Sequence, residues 1–216
     1  MDPAAVAARR AAHAAAGLDE ADLDADPVAQ FRRWWDEVHA LDLPEPTAVV
    51  LATAPARPPV QSLSRHVLLK GVDERGYWWV TNTESRKGRH LAENPLACMT
   101  FPWFALGRQV HVWGGVEHLD PAASDAYFAS RPRGSQLAAW ASEQSRSVPD
   151  RAWIERRWAE LAARYEGVEV PRPPHWGGLR LVPDAVELWQ ERPFRMHDRF
   201  LYERTGAGWA ITRLCP

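Results

Sequence analysis

The chain has 216 residues, which is enough for one domain of ordinary size or at most two small ones. Its formal net charge is -2 and its pI is near 6.4, so it has no basic field for nucleic acid or an anionic membrane. Cys98 and Cys215 are far apart in the sequence, and neither belongs to a metal-binding motif. No apolar run approaches the ~20 residues that are needed to span a membrane. We therefore expect a reduced, cytoplasmic protein without a metal, a membrane or a nucleic-acid partner.

The N-terminal part is expected to be a separate helical or flexible segment, residues 1–26. Within it, residues 4–16 are rich in alanine and suit an amphipathic or frayed helix, whereas residues 18–27 are acidic and rich in turn formers. A helix is predicted over residues 28–41, where apolar residues recur at spacings of three and four. One domain is expected to occupy residues 27–216.

The middle of the chain has the composition of β-strands, with many β-branched and aliphatic residues between turn formers. The predicted strands are 47–53, 64–72, 77–82, 97–104 and 108–119. Short turns such as residues 73–76 predict antiparallel neighbours. Pro102 places its strand at a sheet edge or a bulge.

Helices return in the second half of the chain, over residues 123–131 and 151–167. The proline-rich residues 171–178 are expected to form a rigid linker. Three short strands close the chain, over residues 186–190, 199–204 and 209–214. These elements together predict an α+β, mainly β fold, in which helices surround one barrel-like antiparallel sheet.

Residues 83–95 have the features of an anion site. Ser85 follows a predicted strand and is expected to cap a short helix that ends before Pro95. The free N–H groups at such a helix end attract anions. Arg86 and Lys87 oppose the helix dipole by about 0.3–1 kcal/mol each unless an anion is bound there. The alternative is a solvated turn.

Two further groups of cations have open interpretations. Arg131 and Arg133 lie among serines in residues 130–145, which form either a solvated helix with its cap or a pocket for a phosphorylated small molecule. Arg65 and Lys70 are five positions apart, so regular alternation places them on opposite faces. They share a site only if one of them lies at a strand end or a bulge.

A third group lies near the C-terminus. Arg195, His197 and Arg199 alternate, so an extended strand would place all three on one face, where they require an anion or carboxylates. We favour a functional interpretation of this row. His111 and His118 face opposite ways on a predicted strand and do not form a metal site. Dinucleotide, P-loop and nucleophile-elbow motifs are absent from the sequence.

These segments together resemble the pyridoxamine 5′-phosphate oxidase family. The similarity covers about residues 20–216 and is carried, in family order, by RHVLLKG, VTNTESRKG, RQVHVWGGVE, YFASRPRGSQLAAWASEQS and RMHDRFLY. The resemblance implies an FMN-binding split β-barrel that works as a homodimer, with the flavin at the subunit interface. It also implies oxidation of pyridoxamine or pyridoxine 5′-phosphate to pyridoxal 5′-phosphate, with O2 as acceptor and H2O2 as by-product.

The resemblance further implies roles for individual residues. Arg195 and His197 match the catalytic pair, which also contacts the substrate. The other substrate-binding positions are Lys70, Tyr127, Arg131 and Ser135. The flavin-binding positions are Arg65, Lys70, Thr81, Ser85, Arg86, Lys87, Gln109, Gln144, Ser145, Trp189 and Arg199. Arg131 and Ser135 are four apart, one helical turn, and so can converge on one phosphate. Arg133 has no such role and is expected to be solvated.

Three departures from the family pattern leave rival functions open. His13 stands where a tyrosine is expected, near a loosely matched Arg10, and Val80 also replaces a frequent tyrosine. The loop before Arg65 is longer than usual and lacks a glycine. One rival is a related flavin-dependent oxidase of secondary metabolism, of the phenazine type, although such relatives tend to lack the SRPRGSQ segment. The other is a non-catalytic FMN- or pyridoxal-phosphate-binding protein.

Overall fold

The computed structural model describes residues 3–41 and 43–216, which form six α-helices and nine β-strands. The helices are α1 (Pro3–Ala16), α2 (Pro27–His39), α3 (Arg86–Glu93), α4 (Pro121–Ser130), α5 (Arg133–Ala141) and α6 (Arg151–Arg164). The strands are β1 (Ala48–Thr53), β2 (Leu63–Leu68), β3 (Gly71–Asp73), β4 (Gly76–Asn82), β5 (Leu96–Trp103), β6 (Arg108–His118), β7 (Trp176–Gln190), β8 (Asp198–Thr205) and β9 (Gly208–Leu214). Single 3₁₀ turns lie at Glu20–Asp22, Phe104–Leu106 and Pro193–Arg195. The predicted class, α+β and mainly β, is confirmed.

All nine strands belong to one antiparallel sheet with the order β2-β1-β5-β6-β7-β4-β3. β7 pairs with β6 along one side, while its other side pairs first with β4 and then with β8. The sheet therefore divides near Pro183, and β8 and β9 extend it as a separate flap. The prediction that Pro102 places its strand at a sheet edge or a bulge is wrong, because β5 pairs with both β1 and β6. Pro102 itself pairs only with β6, since the pairing of β5 with β1 ends at Thr100.

The two edges of the sheet meet between β2 and β3. These strands lie at opposite ends of the strand order, yet only Leu69 and Lys70 separate them in the chain. Leu69 donates its N–H to the Thr47 carbonyl and Lys70 donates to the Trp78 carbonyl, each over 2.9 Å. The arrangement is consistent with the predicted split barrel. The prediction of a single strand over 64–72 is wrong because the chain changes sheet edge at this link.

β7 has 15 residues, and it includes part of the segment predicted as a linker. The sequence predicted a strand only over 186–190, and it assigned the proline-rich residues 171–178 to a rigid linker. A Cβ at Gly178 would lie 2.5 Å from Cδ1 of Leu119. The glycine therefore lets Leu119 pack directly onto the strand backbone, and it marks a close contact rather than a strand end.

The main core lies between α2 and the sheet. α2 begins at a capped end, where Asp26 Oδ1 accepts the Val28 N–H over 3.0 Å. Phe31 is fully buried and meets the rings of Tyr77 and Phe101 edge-on, with centroids 4.8 and 4.7 Å away. Full burial of such a side chain stabilises the fold by about 1.5–3 kcal/mol. The helix predicted over 28–41 is therefore present, with slightly different ends.

A second, smaller core fixes the position of α4, α5 and α6. Its buried members are Phe128, Leu137, Tyr165, Val170 and Trp176. Trp176 is the first residue of β7, so the three helices pack beside the end of β7 that pairs with β4. This packing places the corner between α4 and α5 next to β4.

The N-terminal helix α1 is regular and covers the predicted residues 4–16. It lies against the turn Phe104–Leu106 and the end of β7. The first two residues of the segment 1–26 lie outside the described residues, and the domain boundary after residue 26 stays a prediction. Across the described ranges, every helix is too short or too polar to cross a membrane.

Candidate functional site

Two adjoining cavities lie between β2, β4 and the helices α3, α4 and α5. The larger has a volume of about 600 Å³ and the smaller about 540 Å³. His66, Lys87 and Gln144 line both of them. The two cavities therefore form one continuous cleft with polar side chains at the junction.

The larger cavity is lined by a partly buried guanidinium group, one atom of which is buried without an acceptor among the described residues. Arg131 lies over the rings of Phe128 and Trp176, with its Cζ 5.6 and 4.9 Å from their centroids. Its Nη1 atom is buried and has no hydrogen-bond partner among the described residues. Burial lowers the pKa of Arg131, although the adjacent Tyr127 opposes this effect. A buried cationic donor of this kind is stabilised by an anion.

Arg131 and Ser135 both line the larger cavity, but they do not lie on one helical turn. α4 ends at Ser130, and α5 begins after Pro132. Arg131 is extended at ψ 148°, the conformation that a following proline favours. The prediction that one helix presents the pair is therefore wrong, and a corner between two helices brings the side chains together.

Arg133 points away from this cavity. It donates to the carbonyl oxygens of Val168, over 2.9 Å, and Tyr165. The expectation that Arg133 is solvated without a structural role is wrong, because these contacts join α5 to the chain that follows α6. Among the described residues, Arg133 is not one of those that line the larger cavity.

The smaller cavity lies at the start of α3. Ser85 caps this helix as predicted, and its Oγ accepts the Gly88 N–H over 3.3 Å. Ser145 Oγ accepts the Arg86 N–H over 3.2 Å. Arg65 also lines the cavity and donates to Thr53 Oγ1 over 2.8 Å. These contacts join β2, α3 and the chain after α5 around one helix N-terminus.

Three cations meet at this helix end. Among the described residues, no carboxylate forms an ion pair with Arg65, Arg86 or Lys87. Burial, followed by the charge of Arg65, lowers the pKa of Lys87 to about 8. Burial and the charge of Arg86 lower the pKa of Arg65. Cations at a helix N-terminus without counter-ions fit a phosphate group.

Lys70 and Arg65 occupy neighbouring cavities rather than opposite faces of a strand. Arg65 lies within β2 and lines the smaller cavity, whereas Lys70 follows the end of β2 and lines the larger one. The strand-end condition stated from the sequence is therefore met. The cleft brings together these predicted residues: Arg65, Lys70, Thr81, Arg86, Lys87, Tyr127, Arg131, Ser135, Gln144 and Ser145.

Residues that the sequence did not single out also line the cleft. His66 lies at the junction, and Asn82 and Trp176 line the larger cavity. Asn82 Nδ2 donates to the Ser142 carbonyl over 3.3 Å and so connects β4 to the end of α5. Asn82 could have been predicted, because it lies in the VTNTESRKG segment that carries the family resemblance. Trp176 was missed because it lies in the segment that was predicted to be a linker.

Apart from Ser85, which caps α3, the other predicted residues form a second group, here called the β7–β8 cluster: Gln109, Trp189, Arg195, His197 and Arg199. Gln109 pairs with Trp189, and Trp189 pairs with Arg199, on adjacent strands. Within the described residues, none of the five lines either cavity. The cluster lies at the far end of β7 from Trp176. From Trp176 to Trp189, 13 steps along the strand at ~3.3 Å each extend over about 43 Å.

The predicted row of Arg195, His197 and Arg199 on one strand face is wrong. Phe194 and Arg195 have left-handed backbone conformations, with φ of 59° and 62°, and β8 begins only at Asp198. Arg199 alone lies on the strand, and it forms a two-point ion pair with Glu187 over 2.8 and 3.1 Å. The required carboxylate partner therefore exists for Arg199.

His197 is oriented by the backbone. The Arg192 N–H donates to Nδ1 of His197 over 3.1 Å, and the His197 ring packs against Trp189 with centroids 4.5 Å apart. Because Nδ1 is an acceptor, the neutral ring carries its proton on Nε2. Nε2–H is therefore the hydrogen-bond donor of the neutral His197 ring.

Known proteins resemble the chain over almost its whole length. Residues 35–165 match the family described as pyridoxamine 5′-phosphate oxidase, and residues 176–216 match the pyridoxine 5′-phosphate oxidase C-terminal dimerisation region. A pyridoxine/pyridoxamine 5′-phosphate oxidase of Acidothermus cellulolyticus is 56% identical over 94% of this chain and 91% of its own. One of Paraburkholderia phymatum is 54% identical over 92% of this chain and 93% of its own.

A solved structure agrees with the architecture. PhzG from Burkholderia lata, in complex with tetrahydrophenazine-1-carboxylic acid, superimposes with a TM-score of 0.85. It is 33% identical, and the match covers 92% of this chain and 98% of PhzG. With both family regions matched in order, the chain belongs to the pyridoxamine 5′-phosphate oxidase family.

Proposed function

We propose that the protein is a cytoplasmic, FMN-dependent oxidase that converts pyridoxamine or pyridoxine 5′-phosphate to pyridoxal 5′-phosphate, with O2 as electron acceptor. The buried Nη1 of Arg131 carries this proposal, because it lies without a partner among the described residues in a cavity that Lys70 and Ser135 also line. A substrate phosphate supplies the missing acceptor. Relatives at 56% and 54% identity that bear this enzyme name support the proposal.

The smaller cavity is proposed to hold the phosphate of FMN. Arg65, Arg86 and Lys87 would supply the positive charge, and the start of α3 would supply N–H donors. When bound, FMN would accept a hydride equivalent from the substrate and pass the two electrons on to O2, which would yield H2O2. Thr81, which is buried on β4 and lines the larger cavity, would lie beside the flavin.

The larger cavity is proposed to hold the substrate. Arg131, Ser135 and Lys70 would fix its phosphate, while the rings of Tyr127 and Trp176 would border it. Those two rings are nearly parallel, with an interplanar angle of 7°. Because the two cavities adjoin, substrate and flavin would be held next to each other, and such orientation lowers a barrier by up to about 7–11 kcal/mol.

The β7–β8 cluster is proposed to act in the cleft of a second subunit. The family region described as a dimerisation region, residues 176–216, contains four of the five cluster residues. A two-fold homodimer would contain two equivalent sites, each formed by the cleft of one chain and the cluster of its partner. There, Arg195 and the Nε2–H of His197 would hold the exocyclic group of the substrate, while Gln109, Trp189 and Arg199 would border the flavin.

A phenazine-type oxidase is the second candidate, because PhzG shares the architecture at a TM-score of 0.85. Its identity to this chain is 33%, compared with 56% for the Acidothermus relative. The SRPRGSQ segment, which contains Arg131 and Ser135, favours a phosphorylated substrate. The vitamin B6 substrates are therefore the first choice.

An absorbance scan followed by a peroxide assay tests the proposal. The purified protein is expected to show a flavin spectrum and to form H2O2 with pyridoxamine and pyridoxine 5′-phosphate. Unphosphorylated pyridoxamine serves as the control for the phosphate site, and a reduced phenazine carboxylate tests the second candidate. Flavin-loaded protein that forms peroxide with neither phosphorylated compound would refute the proposed function.

A further inference from the structure

The segment 191–198 comprises the loop between β7 and β8 and the first residue of β8, and both of its ends are attached to the N-terminal helix or the residues just after it. At its first residue, Glu191 accepts two hydrogen bonds from Arg10, over 2.5 and 3.0 Å. At its last residue, Asp198 Oδ2 accepts the N–H of Leu18, just after α1, over 3.0 Å. The segment that carries Arg195 and His197 therefore lies between two contacts with α1 and its end.

Arg192 connects three parts of this region. Its Nη1 donates to the carbonyl oxygens of Ala14 and Ala15, over 3.2 and 2.8 Å, at the C-terminal end of α1. A cation is favourable there because the last helical carbonyls lack partners. Its Nε lies 3.5 Å from Asp198 Oδ2, and its backbone N–H orients His197. One residue thus links α1, the far end of the loop and the imidazole ring.

Packing against the rest of the protein does little to stabilise the conformation of the loop. Phe194 and Arg195 are consecutive non-glycine residues in the left-handed region, which is an unfavourable conformation for such residues. The side chain of Phe194 is 96% exposed and that of Met196 is 67% exposed. The contacts at residues 191, 192 and 198 therefore oppose relaxation of a strained and largely exposed segment.

We propose that Glu191 and Arg192 are positioning residues, which use α1 to hold the loop in the form that presents Arg195 and His197. The consequence for catalysis rests on the proposed function, because it assigns those two side chains to the substrate. The attachment itself does not depend on that assignment. Arg10 takes part through its ion pair with Glu191 and lines neither cavity within the described residues.

Gly17 provides a way to disturb this attachment without removing either partner. Its φ is +76°, and a Cβ there would lie 2.3 Å from Arg192 Nη1 and 2.9 Å from Asp198 Oδ2. Gly167 is the matched control, because its φ is +71° and a Cβ there has no neighbour within 4 Å. Gly17→Ala and Gly167→Ala thus share the backbone cost of a left-handed alanine. Only the first displaces Arg192.

Methionine methyl NMR reports the loop directly in the full-length protein, with or without flavin. The chain has three methionines, of which Met196 lies in the loop and Met99 is fully buried in the core. In Gly17→Ala and Glu191→Gln, we expect the Met196 methyl signal to move towards its random-coil position while Met99 stays unchanged. Gly167→Ala should move neither. An unmoved Met196 signal in both of the first two variants would overturn the proposal.

Kinetics of the flavin-loaded enzyme provide the second arm. Gly17→Ala and Glu191→Gln are expected to lower kcat by on the order of 10- to 100-fold, because small displacements of substrate-contacting groups have effects of this size. KM and FMN affinity should stay within about twofold, since the cleft is intact. Arg10→Glu should lose activity similarly, and the double variant Arg10→Glu/Glu191→Arg should recover it.

Two kinetic results would contradict the positioning role. One is an unchanged kcat in variants whose Met196 signal has moved, and the other is an equal loss in Gly167→Ala. If the unaltered protein oxidised neither pyridoxamine nor pyridoxine 5′-phosphate, the proposed function would be refuted and the positioning role would not. The methyl spectra would then still decide whether α1 holds the loop.

Discussion

Lys87 Nζ donates to Gln144 Oε1 over 2.8 Å at the junction of the two cavities, and to Ser85 Oγ over 3.3 Å. Neither acceptor carries a charge, and the lysine is only 9% exposed. Its ammonium group is therefore hydrogen-bonded but lacks a counter-ion among the described residues. Burial, and then the charge of Arg65, bring its pKa to about 8, so the charge of this site changes within an accessible pH range.

FMN affinity is expected to fall as the pH rises through about 8. A phosphate group favours the ammonium form of Lys87, so each pH unit well above this pKa should weaken binding by up to about tenfold. Lys87→Arg is the control, because a guanidinium group stays charged and should give a nearly flat profile. Flavin fluorescence titrations between about pH 7 and 9.5 measure both curves. A flat profile for the unaltered protein would contradict the assignment.

The same pKa shift predicts the opposite trend for the stability of the flavin-free protein. The ordinary pKa of lysine is 10.5, so between about 8 and 10.5 the unfolded state binds a proton that the folded state does not. Stability therefore rises with pH in this window, because the cost of the buried charge is lost. Urea unfolding of the unaltered protein and of Lys87→Met, compared across the window, isolates the contribution. If the free energy of unfolding of the unaltered protein fell relative to that of Lys87→Met as the pH rises, the predicted sign would be wrong.

Arg131→Ala is expected to raise KM for pyridoxamine 5′-phosphate by about 10- to 150-fold. The change removes one charge-assisted contact to the phosphate, which contributes about 1.5–3 kcal/mol. Arg133→Ala is the matched control, since Arg133 bonds to the Tyr165 and Val168 carbonyls outside the cavity. Initial-rate measurements should show a large effect on KM only for the first variant. Equal effects would place the phosphate elsewhere.

Mixed dimers are expected to recover activity from two impaired variants, assayed at a substrate concentration well below the raised KM of Arg131→Ala. If each site combines the cleft of one chain with the β7–β8 cluster of its partner, co-expression of Arg131→Ala with His197→Ala gives heterodimers with one intact site. Random pairing in a two-fold dimer makes about a quarter of all sites intact. Activity of the co-purified mixture, relative to each variant alone, tests this. Recovery to no more than the sum of the separate variants would indicate that each site lies within one chain.

Gly88→Ala is expected to disturb the start of α3. A Cβ at Gly88 would lie 2.0 Å from the Thr83 carbonyl oxygen, so the helix must shift away from the chain that precedes it. Such overpacking costs about 1–3 kcal/mol and should also weaken FMN binding. Gly134, in the first turn of α5, has no neighbour within 4 Å of its Cβ position. Thermal unfolding of Gly134→Ala should therefore show no loss of stability, or a gain of up to about 1 kcal/mol.

The sequence predicted those parts of the fold that depend on neighbours in the chain. The periodicity of residues 28–41 indicated α2, and Ser85 indicated the capped start of α3. It did not predict the break after Leu68, because the change of sheet edge depends on Thr47 and Trp78, which are distant in sequence. Pairing between residues distant in sequence determines where β2 ends, and the local alternation of residue types does not indicate this position.

The candidate site followed the same division. The motifs predicted which side chains matter, and the structure brings ten of those predicted residues into one cleft. Alternation failed for Arg195 and His197, because two left-handed residues interrupt the expected strand and no local pattern of non-glycine residues indicates them. The separation of the β7–β8 cluster from the cleft likewise follows from topology. It depends on the length of β7, of which the sequence indicated only residues 186–190.

The strand β7 runs through both parts of the sheet, and this limits how the architecture can evolve. Trp176 borders the cleft at one end and Trp189 belongs to the cluster at the other, so a single backbone sets the spacing between both half-sites. Deleting one residue between them would turn one half of the strand onto the opposite face of the sheet. New substrate preferences are thus easier to reach by exchanging side chains or by changing the length of the loop at residues 54–62. The strand itself tolerates replacements but not insertions.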